Sequence, residues 1–299
     1  MTVGGVVQMA PGLLECDSKD VEIRSLRFRR LAYNVGIRGA LETGESRVVL
    51  AYLPRQHGVA RINGELWLNR RLAVVRGSAE FCSERAFVLT LVEIETKQVP
   101  AFPKATAAHS GDEWCALLPA GNRAALRLQS RVDGVLDEPE PIGLPATAIE
   151  CRLMASIGLT IDSAMLVKSA TNKYENGRAM ANAAQGYMWS HVDDDIGLEE
   201  ICRGIGCHRR TLLNYFNKLY GMSPIRFLKI LRLNRAQKAL RESDPLRISI
   251  FDVAADHGFW HMGHFSSDYR SLFGETPSET LHGQVLSPAG HFGNFTLSP

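Results

Sequence analysis

From Ile23 to about Ile94 the apolar residues alternate with polar ones or gather in short runs, as in Arg47-Val48-Val49-Leu50-Ala51-Tyr52-Leu53 and Phe87-Val88-Leu89-Thr90-Leu91-Val92. Runs of this length, broken by turn formers roughly every 8 to 12 residues, predict strands. Between Ala60-Arg61-Ile62 and Glu65-Leu66-Trp67-Leu68 lies Asn63-Gly64, the dipeptide that best tolerates positive φ at both centres of a tight hairpin turn. Beyond Pro139, Pro141 and Pro145 the period changes. Ile149, Leu153, Ile157, Ile161 and Met165 recur every four residues and predict a helix over about 147–170. Its apolar face is expected to pack on the sheet of its own domain, and the helix also offers a way to pair subunits.

Thr171-Asn172-Lys173-Tyr174-Glu175-Asn176-Gly177 is short and polar, and from there to His282 the pattern is one of helices separated by tight turns. The expected division is therefore an N-terminal domain over 1–170, a linker over 171–177, an all-helical domain over 178–283 and a flexible tail over 284–299. The fold class is α+β with two domains, the first β-rich with an added helix. A chain of 299 residues suits two cores, and 45% hydrophobic with 22% charged residues belongs to a globular protein.

A net charge of +2 points to no particular partner. The six cysteines include no C-x-x-C pair, which fits a reducing compartment. The first seventeen residues carry no basic residue before their apolar stretch, and no window has the roughly 18 uninterrupted apolar residues of a spanning helix. The expected location is cytoplasmic, with no membrane association.

Within the C-terminal region a single pattern occurs twice, about 52 residues apart. Ile201-Cys202, Gly206-Cys207-His208, Leu212, Phe216, Gly221 and Pro224 form the first copy. Val253-Ala254, Gly258-Phe259-Trp260, Phe265, Tyr269, Gly274 and Pro277 form the second. The offset is 52 up to the glycine and 53 beyond it, so one residue is inserted in the turn or at the start of the following helix. Each copy has a first helix with a small residue at the crossing, a glycine able to turn with left-handed φ, and a second helix whose apolar side faces inward. Such a second helix leaves its other face free for the major groove of DNA. Between Ile201 and Arg241 there are ten basic residues (Arg203, Arg209, Arg210, Lys218, Arg226, Lys229, Arg232, Arg235, Lys238 and Arg241) and no Asp or Glu. A stretch of one sign is expected to bind phosphates. The last six recur every third residue, so they wind around a helix that begins after Ser223-Pro224, and not all can face one DNA backbone.

These residues carry a resemblance. Leu198-Glu199-Glu200-Ile201-Cys202, Gly206, Arg210-Thr211-Leu212, Phe216, Gly221-Met222-Ser223-Pro224, Arg232-Leu233, Ala236, Ile250, Val253-Ala254, Gly258-Phe259, His264-Phe265, Phe273-Gly274 and Thr276-Pro277 resemble the DNA-binding domain of the AraC/XylS transcription regulators. The resemblance implies seven helices forming two helix-turn-helix units joined by a long helix, behind a jelly-roll or cupin-like sensor. It also implies double-stranded DNA and RNA polymerase as partners, a homodimer, and control by a small-molecule effector or a partner. The base-reading positions it implies are Arg210, Leu213 and Asn214 in the first unit and Met262, Gly263, Ser266 and Ser267 in the second, with Arg209, Lys218 and Arg270 beside them. The sequence departs from the family at His208 and His261, where Ser is common, and at Asn214 and Ser267, where Arg is common.

Other constellations are weaker. His257, His261 and His264 have a spacing open to zinc, but helix capping, packing or phosphate contact explains them better, and no metal or cofactor is expected. Asp193-Asp194-Asp195 is expected to cap a helix. Trp260 either reaches the DNA backbone or covers a turn. Tyr52, His57, Arg61, Trp67 and Trp114 are candidates for lining a sensor pocket. The rival readings are an enzyme fused to the DNA-binding unit, for which the cupin ligand set and a four-cysteine cluster are missing, and a regulator governed by a protein partner alone.

Overall fold

The central strand of the first sheet is buried at nearly every position, which requires cover on both faces. A computed structural model describes residues 2–44, 46–54, 60–99, 114–137, 145–168 and 175–283. Its strands are β1 (Thr2–Gln8), β2 (Cys16–Ile23), β3 (Leu26–Tyr33), β4 (Ile37–Glu42), β5 (Arg47–Tyr52), β6 (Ala60–Ile62), β7 (Glu65–Trp67), β8 (Leu72–Arg76), β9 (Ser78–Ser83), β10 (Phe87–Glu95) and β11 (Trp114–Leu117). They form two antiparallel sheets, one of six strands in the order β11-β8-β5-β10-β3-β2 and one of five in the order β1-β4-β9-β6-β7.

Two helices, α1 (Arg123–Asp137) and α2 (Ala146–Lys168), cover one face of the six-stranded sheet. Because strand side chains alternate, Val48, Leu50 and Tyr52 of β5 share that face with Leu26, Phe28, Leu72, Val74, Val92 and Ile94. Ala125, Leu128, Val132 and Leu136 of α1 and Ile149, Leu153, Ile157 and Ile161 of α2 close over them. Each such aliphatic side chain contributes about 1.5–3 kcal/mol on burial. The opposite face meets the five-stranded sheet, where Phe81 lies edge-on to Phe87 at 5.9 Å, and Phe87 stacks on Tyr33 at 5.3 Å.

The predicted hairpin forms as expected: Ile62 pairs with Glu65, and Asn63 and Gly64 adopt φ of 46° and 79°. The helix predicted over 147–170 is α2, with Ile149, Leu153, Ile157 and Ile161 buried and Met165 packed against the same core. Four elements have no counterpart among those the sequence predicts. β2 is an exposed strand whose polar residues carry no alternation; backbone pairing with β3 and cross-strand ion pairs Glu22–Arg27 and Asp20–Arg29 hold it instead. β1, β11 and α1 are the others. The signal for α1 is present in Ala125, Leu128, Val132 and Leu136, spaced three and four apart.

The second unit comprises 175–283 together with 5–14 and 35–38. It is helical: α3 (Glu175–Ser190), α4 (Leu198–Gly204), α5 (Arg209–Tyr220), α6 (Pro224–Glu242), α7 (Ile250–Asp256), α8 (Met262–Phe273) and α9 (Pro277–Gly283). Helix α3 starts three residues ahead of the expected 178, while 169–174 and 284–299 lie outside the described residues. Within this unit Gln8 donates its backbone N–H to Asn234 Oδ1 (2.9 Å) and its side-chain amide to the Leu272 carbonyl (2.7 Å). No described helix is long and apolar enough to cross a membrane.

Candidate nucleic-acid interface

Two helix pairs in the second unit, α4 with α5 and α7 with α8, repeat one local plan. In each, the first helix is short and buries a small residue, Cys202 or Ala254. Gly206 (φ 65°) and Gly258 (φ 77°) then make the turn in the left-handed region, where a Cβ would be strained. The inserted residue of the second copy lies in this turn: Phe259 and Trp260 occupy the stretch that Cys207 fills alone before the N-caps His261 and His208. Phe259 turns inward onto Phe265, with ring centroids 5.0 Å apart, which leaves Trp260 68% exposed.

The second helix of each pair is anchored by aromatic side chains. In the first, Phe216 and Tyr220 of α5 pack with Phe227 of α6, and the Tyr220 hydroxyl donates to Gln185 Oε1 of α3 at 2.9 Å. In the second, Phe265, Tyr269 and Phe273 of α8 form a continuous ring contact, and the Tyr269 hydroxyl donates to Thr280 Oγ1 at 2.8 Å. Both helices end at a left-handed glycine, Gly221 or Gly274. Anchored on one side, they present the other. On α5 Arg209, Arg210, Asn214 and Lys218 are exposed and Leu213 is half-buried; on α8 Gly263, Ser266, Ser267 and Arg270 are exposed and Met262 is half-buried. Of the ten contact positions named from the sequence, eight are exposed on α5 or α8, and Leu213 and Met262 are half-buried on the same helices.

The two faces differ in chemistry. Arg210 and Asn214 carry side chains able to make paired hydrogen bonds to a base edge, whereas Gly263, Ser266 and Ser267 offer short or no side chains. Neither N-cap histidine accepts a bond from its helix, so no cap side chain engages the first-turn N–H groups of α5 and α8, donors of the kind that phosphate oxygens take.

Between the pairs runs α6, 19 residues and about 28 Å long. Ser223 caps it by accepting from the Arg226 N–H at 3.3 Å, with Pro224 in the first turn, as the sequence indicates. Its basic residues are mostly committed within the protein. Lys229 pairs with Asp268 (2.5 Å), Arg235 with Asp193 (2.8 Å) and Arg241 with Glu275 (3.5 Å), while Lys238 lies 3.9 Å from Glu242. Arg232 donates to the carbonyls of Val192 (2.7 Å) and Asp194, and Arg235 also stands over the Trp189 ring. Lys229, Arg235 and Arg241 thus find their acids outside α6, a pairing that a linear count of charges misses. Arg209 likewise meets Glu199 at 3.3 Å, with both side chains exposed.

Asp193 does not cap a helix. The N-cap of α4 is Gly197, whose N–H donates to Glu200 at 3.1 Å. Asp193 instead joins α6 to α7, holding Arg235 and lying 2.9 Å from His257 Nδ1. Among the described residues no three His, Cys, Asp or Glu side chains gather as a metal site. Cys202 is buried, and burial together with the neighbouring Cys207 pushes its thiol up to about 11, which keeps it protonated and inert near neutrality. Of the pocket candidates, Trp67 and Trp114 are buried in the core, Tyr52 is buried with its hydroxyl at the edge of a cleft, and His57 lies outside the described residues.

Residues 201–283 match the model of a helix-turn-helix domain family. Over 278 residues the chain is 26% identical to a probable thc operon regulatory protein of Rhodococcus erythropolis, covering 88% of this chain and 79% of that one. Over 95 residues it is 36% identical to a XylDLEGF operon transcriptional activator of Pseudomonas putida, a match that covers 32% of this chain and 30% of the activator. Among solved structures it is similar to a probable AraC family transcriptional regulator from Rhodopseudomonas palustris CGA009, with 31% identity and a TM-score of 0.33 over 36% of this chain and 97% of that one.

Proposed function

Through its helix-turn-helix domain this chain belongs with the AraC-type regulators of transcription, and from that premise we propose that it binds specific DNA sites with α5 and α8 as paired reading helices. The observation that carries this reading is the repeated plan: two aromatic-anchored helices, each behind a left-handed glycine turn, separated by one capped helix of about 28 Å. That length approaches the roughly 34 Å between successive major-groove faces on one side of B-DNA. Arg209, Arg210, Leu213, Asn214 and Lys218 form the first contact face, and Met262, Gly263, Ser266, Ser267 and Arg270 the second. Arg210 reads guanine and Asn214 adenine, while the second face contributes shape and phosphate contact more than base readout.

The two-sheet unit is the sensor and dimerisation domain of a jelly-roll type, spanning 1–170, with the linker at 171–177 and the DNA-binding domain at 178–283. Leu159 and Leu166 on α2, 56% and 77% exposed, support a role for that helix in pairing subunits. The protein acts in the cytoplasm, beside RNA polymerase, and carries out no catalysis. The names of its relatives, an operon regulator and an operon activator, favour activation.

Gel-shift titration of the full chain against duplexes selected from a random pool tests the reading. Arg210→Ala is expected to weaken specific binding by about 1–3 kcal/mol, roughly 5- to 150-fold, and Ser267→Ala by much less. Equal losses would contradict the division of labour, and failure to enrich any duplex would remove the function.

A further inference from the structure

Trp260 is 68% exposed, and its indole N–H finds no acceptor among the described residues. The turn to which it belongs does not require it. Gly258 takes the left-handed conformation there, and Phe259 supplies the inward aromatic, its ring 5.0 Å from that of Phe265. The first unit makes the corresponding turn with Cys207 and has no Phe, Tyr or Trp in it. The second unit therefore carries an added indole that its own packing leaves in solvent. The exposed aromatic surface continues into His261 and His264, both exposed, with their rings edge-on at 6.1 Å.

Trp260 immediately precedes the N-cap His261, so it stands at the N-terminal end of α8, the end by which a recognition helix of this plan meets the bases. A duplex docked there needs contacts on its sugar–phosphate wall to fix the register. The first unit places Arg209 and Arg210 at the equivalent end of α5. On α8 the first turn is Met262, Gly263 and His264, and the helix's only Lys or Arg is Arg270 in its last turn. Where α5 begins with two guanidinium groups, α8 is thus entered through an indole. An indole suits such a wall, because its ring can cover the apolar carbons of a deoxyribose while its N–H, a donor with no acceptor capacity, meets a phosphate oxygen. Being neutral, it releases no counterion.

We propose that Trp260 lies on the sugar–phosphate wall of the groove that α8 enters, its ring against a deoxyribose and its N–H on a phosphate oxygen, so that a neutral aromatic contact blind to base sequence anchors the second unit. This contact rests on the reading of α8 as a DNA-binding helix and lies outside the ten positions of that reading.

Anisotropy titrations of the full chain test it, comparing the parent with Trp260→Ala and Trp260→Phe on a duplex selected by the parent and on an unrelated duplex, over about 50 to 300 mM salt. Trp260→Ala is expected to weaken binding to both duplexes by the same factor, about tenfold, with the slope of log K against log salt and the melting temperature of the protein unchanged. Trp260→Phe keeps a ring without the donor and is expected to lose about threefold. Unchanged affinity in Trp260→Ala, a loss confined to the selected duplex, or a loss accompanied by a lowered melting temperature would each overturn the assignment, the second by placing the indole on a base and the third by making it cover for the turn. A parent that binds neither duplex would instead remove the reading of α8 itself, and this contact with it.

Discussion

Gly204 closes α4 against the ring of Tyr187, so near that a Cβ placed there would lie 2.2 Å from Tyr187 Cε2. The ring has little room to yield, because Tyr187 stacks on His191 with centroids 4.1 Å apart. Two effects oppose one another in Gly204→Ala. Alanine gains about 1 kcal/mol of helix propensity over glycine, while forcing an extra carbon into a packed contact costs about 1–3 kcal/mol. At 2.2 Å the clash wins, so the variant is expected to unfold at lower denaturant than the parent, with an unchanged slope. A rise in stability, the usual result at an unconstrained helical glycine, would show that the contact sets no limit. At the same scale the sequence is readable wherever backbone conformation dictates residue type, as at Asn63-Gly64, Gly206 and Gly258. Gly204 gives no such sign, because its constraint comes from a side chain seventeen positions earlier in the chain.

Elements that build a core declare themselves through periodicity, as α2 does with Ile149, Leu153, Ile157 and Ile161. β2 does not, since an exposed strand held by pairing and by Asp20 and Glu22 has no apolar face to reveal it. Helix ends lie between these cases. Asp193-Asp194-Asp195 looks like a cap from composition, yet Glu200 and Glu279 do that work. The Glu200 carboxylate accepts from the Gly197 N–H, and Glu279 accepts from the Thr276 N–H at 2.7 Å while the Thr276 hydroxyl accepts from the Glu279 N–H at 3.2 Å. These backbone bonds hold both carboxyls below the ordinary glutamate value of 4.5. A group whose folded pKa is depressed contributes its stability above the unfolded value and loses it as pH falls through the folded one. Thermal stability is therefore expected to be level above about pH 5 and to fall below about 4.5, with a shallower fall in a Glu200→Gln/Glu279→Gln double variant. A decline of the same steepness in parent and variant would remove the caps from the acid response.

For the molecule as a whole the question is how many phosphates one chain can engage. A linear count of ten basic residues between Ile201 and Arg241 would give log K against log salt a slope of about −9. The three-dimensional arrangement lowers that figure, because Lys229, Arg235, Lys238 and Arg241 lie close to carboxylates and Arg232 is bonded to two backbone carbonyls. Exposed pairs of this kind are individually weak, but each must break or share its cation before a phosphate can take it. Arg203, Arg210 and Arg226 pair with no carboxylate among the described residues, and Arg270 projects from the exposed side of α8. These four give an expected slope of about −3.5 per chain. Fluorescence anisotropy of a labelled duplex between about 50 and 300 mM salt reads it directly. A slope near −9 would mean that α6 gives up its internal ion pairs on binding, and α6 would then be a phosphate clamp in its own right. The expected value leaves it as the brace that fixes the spacing of α5 and α8, with Asp193, Asp268 and Glu275 holding it at three points along its length. Loss of the Asp193 brace in Asp193→Asn should then steepen the slope by at most about one unit while weakening specific binding, since the freed Arg235 gains a phosphate only by letting the two reading helices drift out of register.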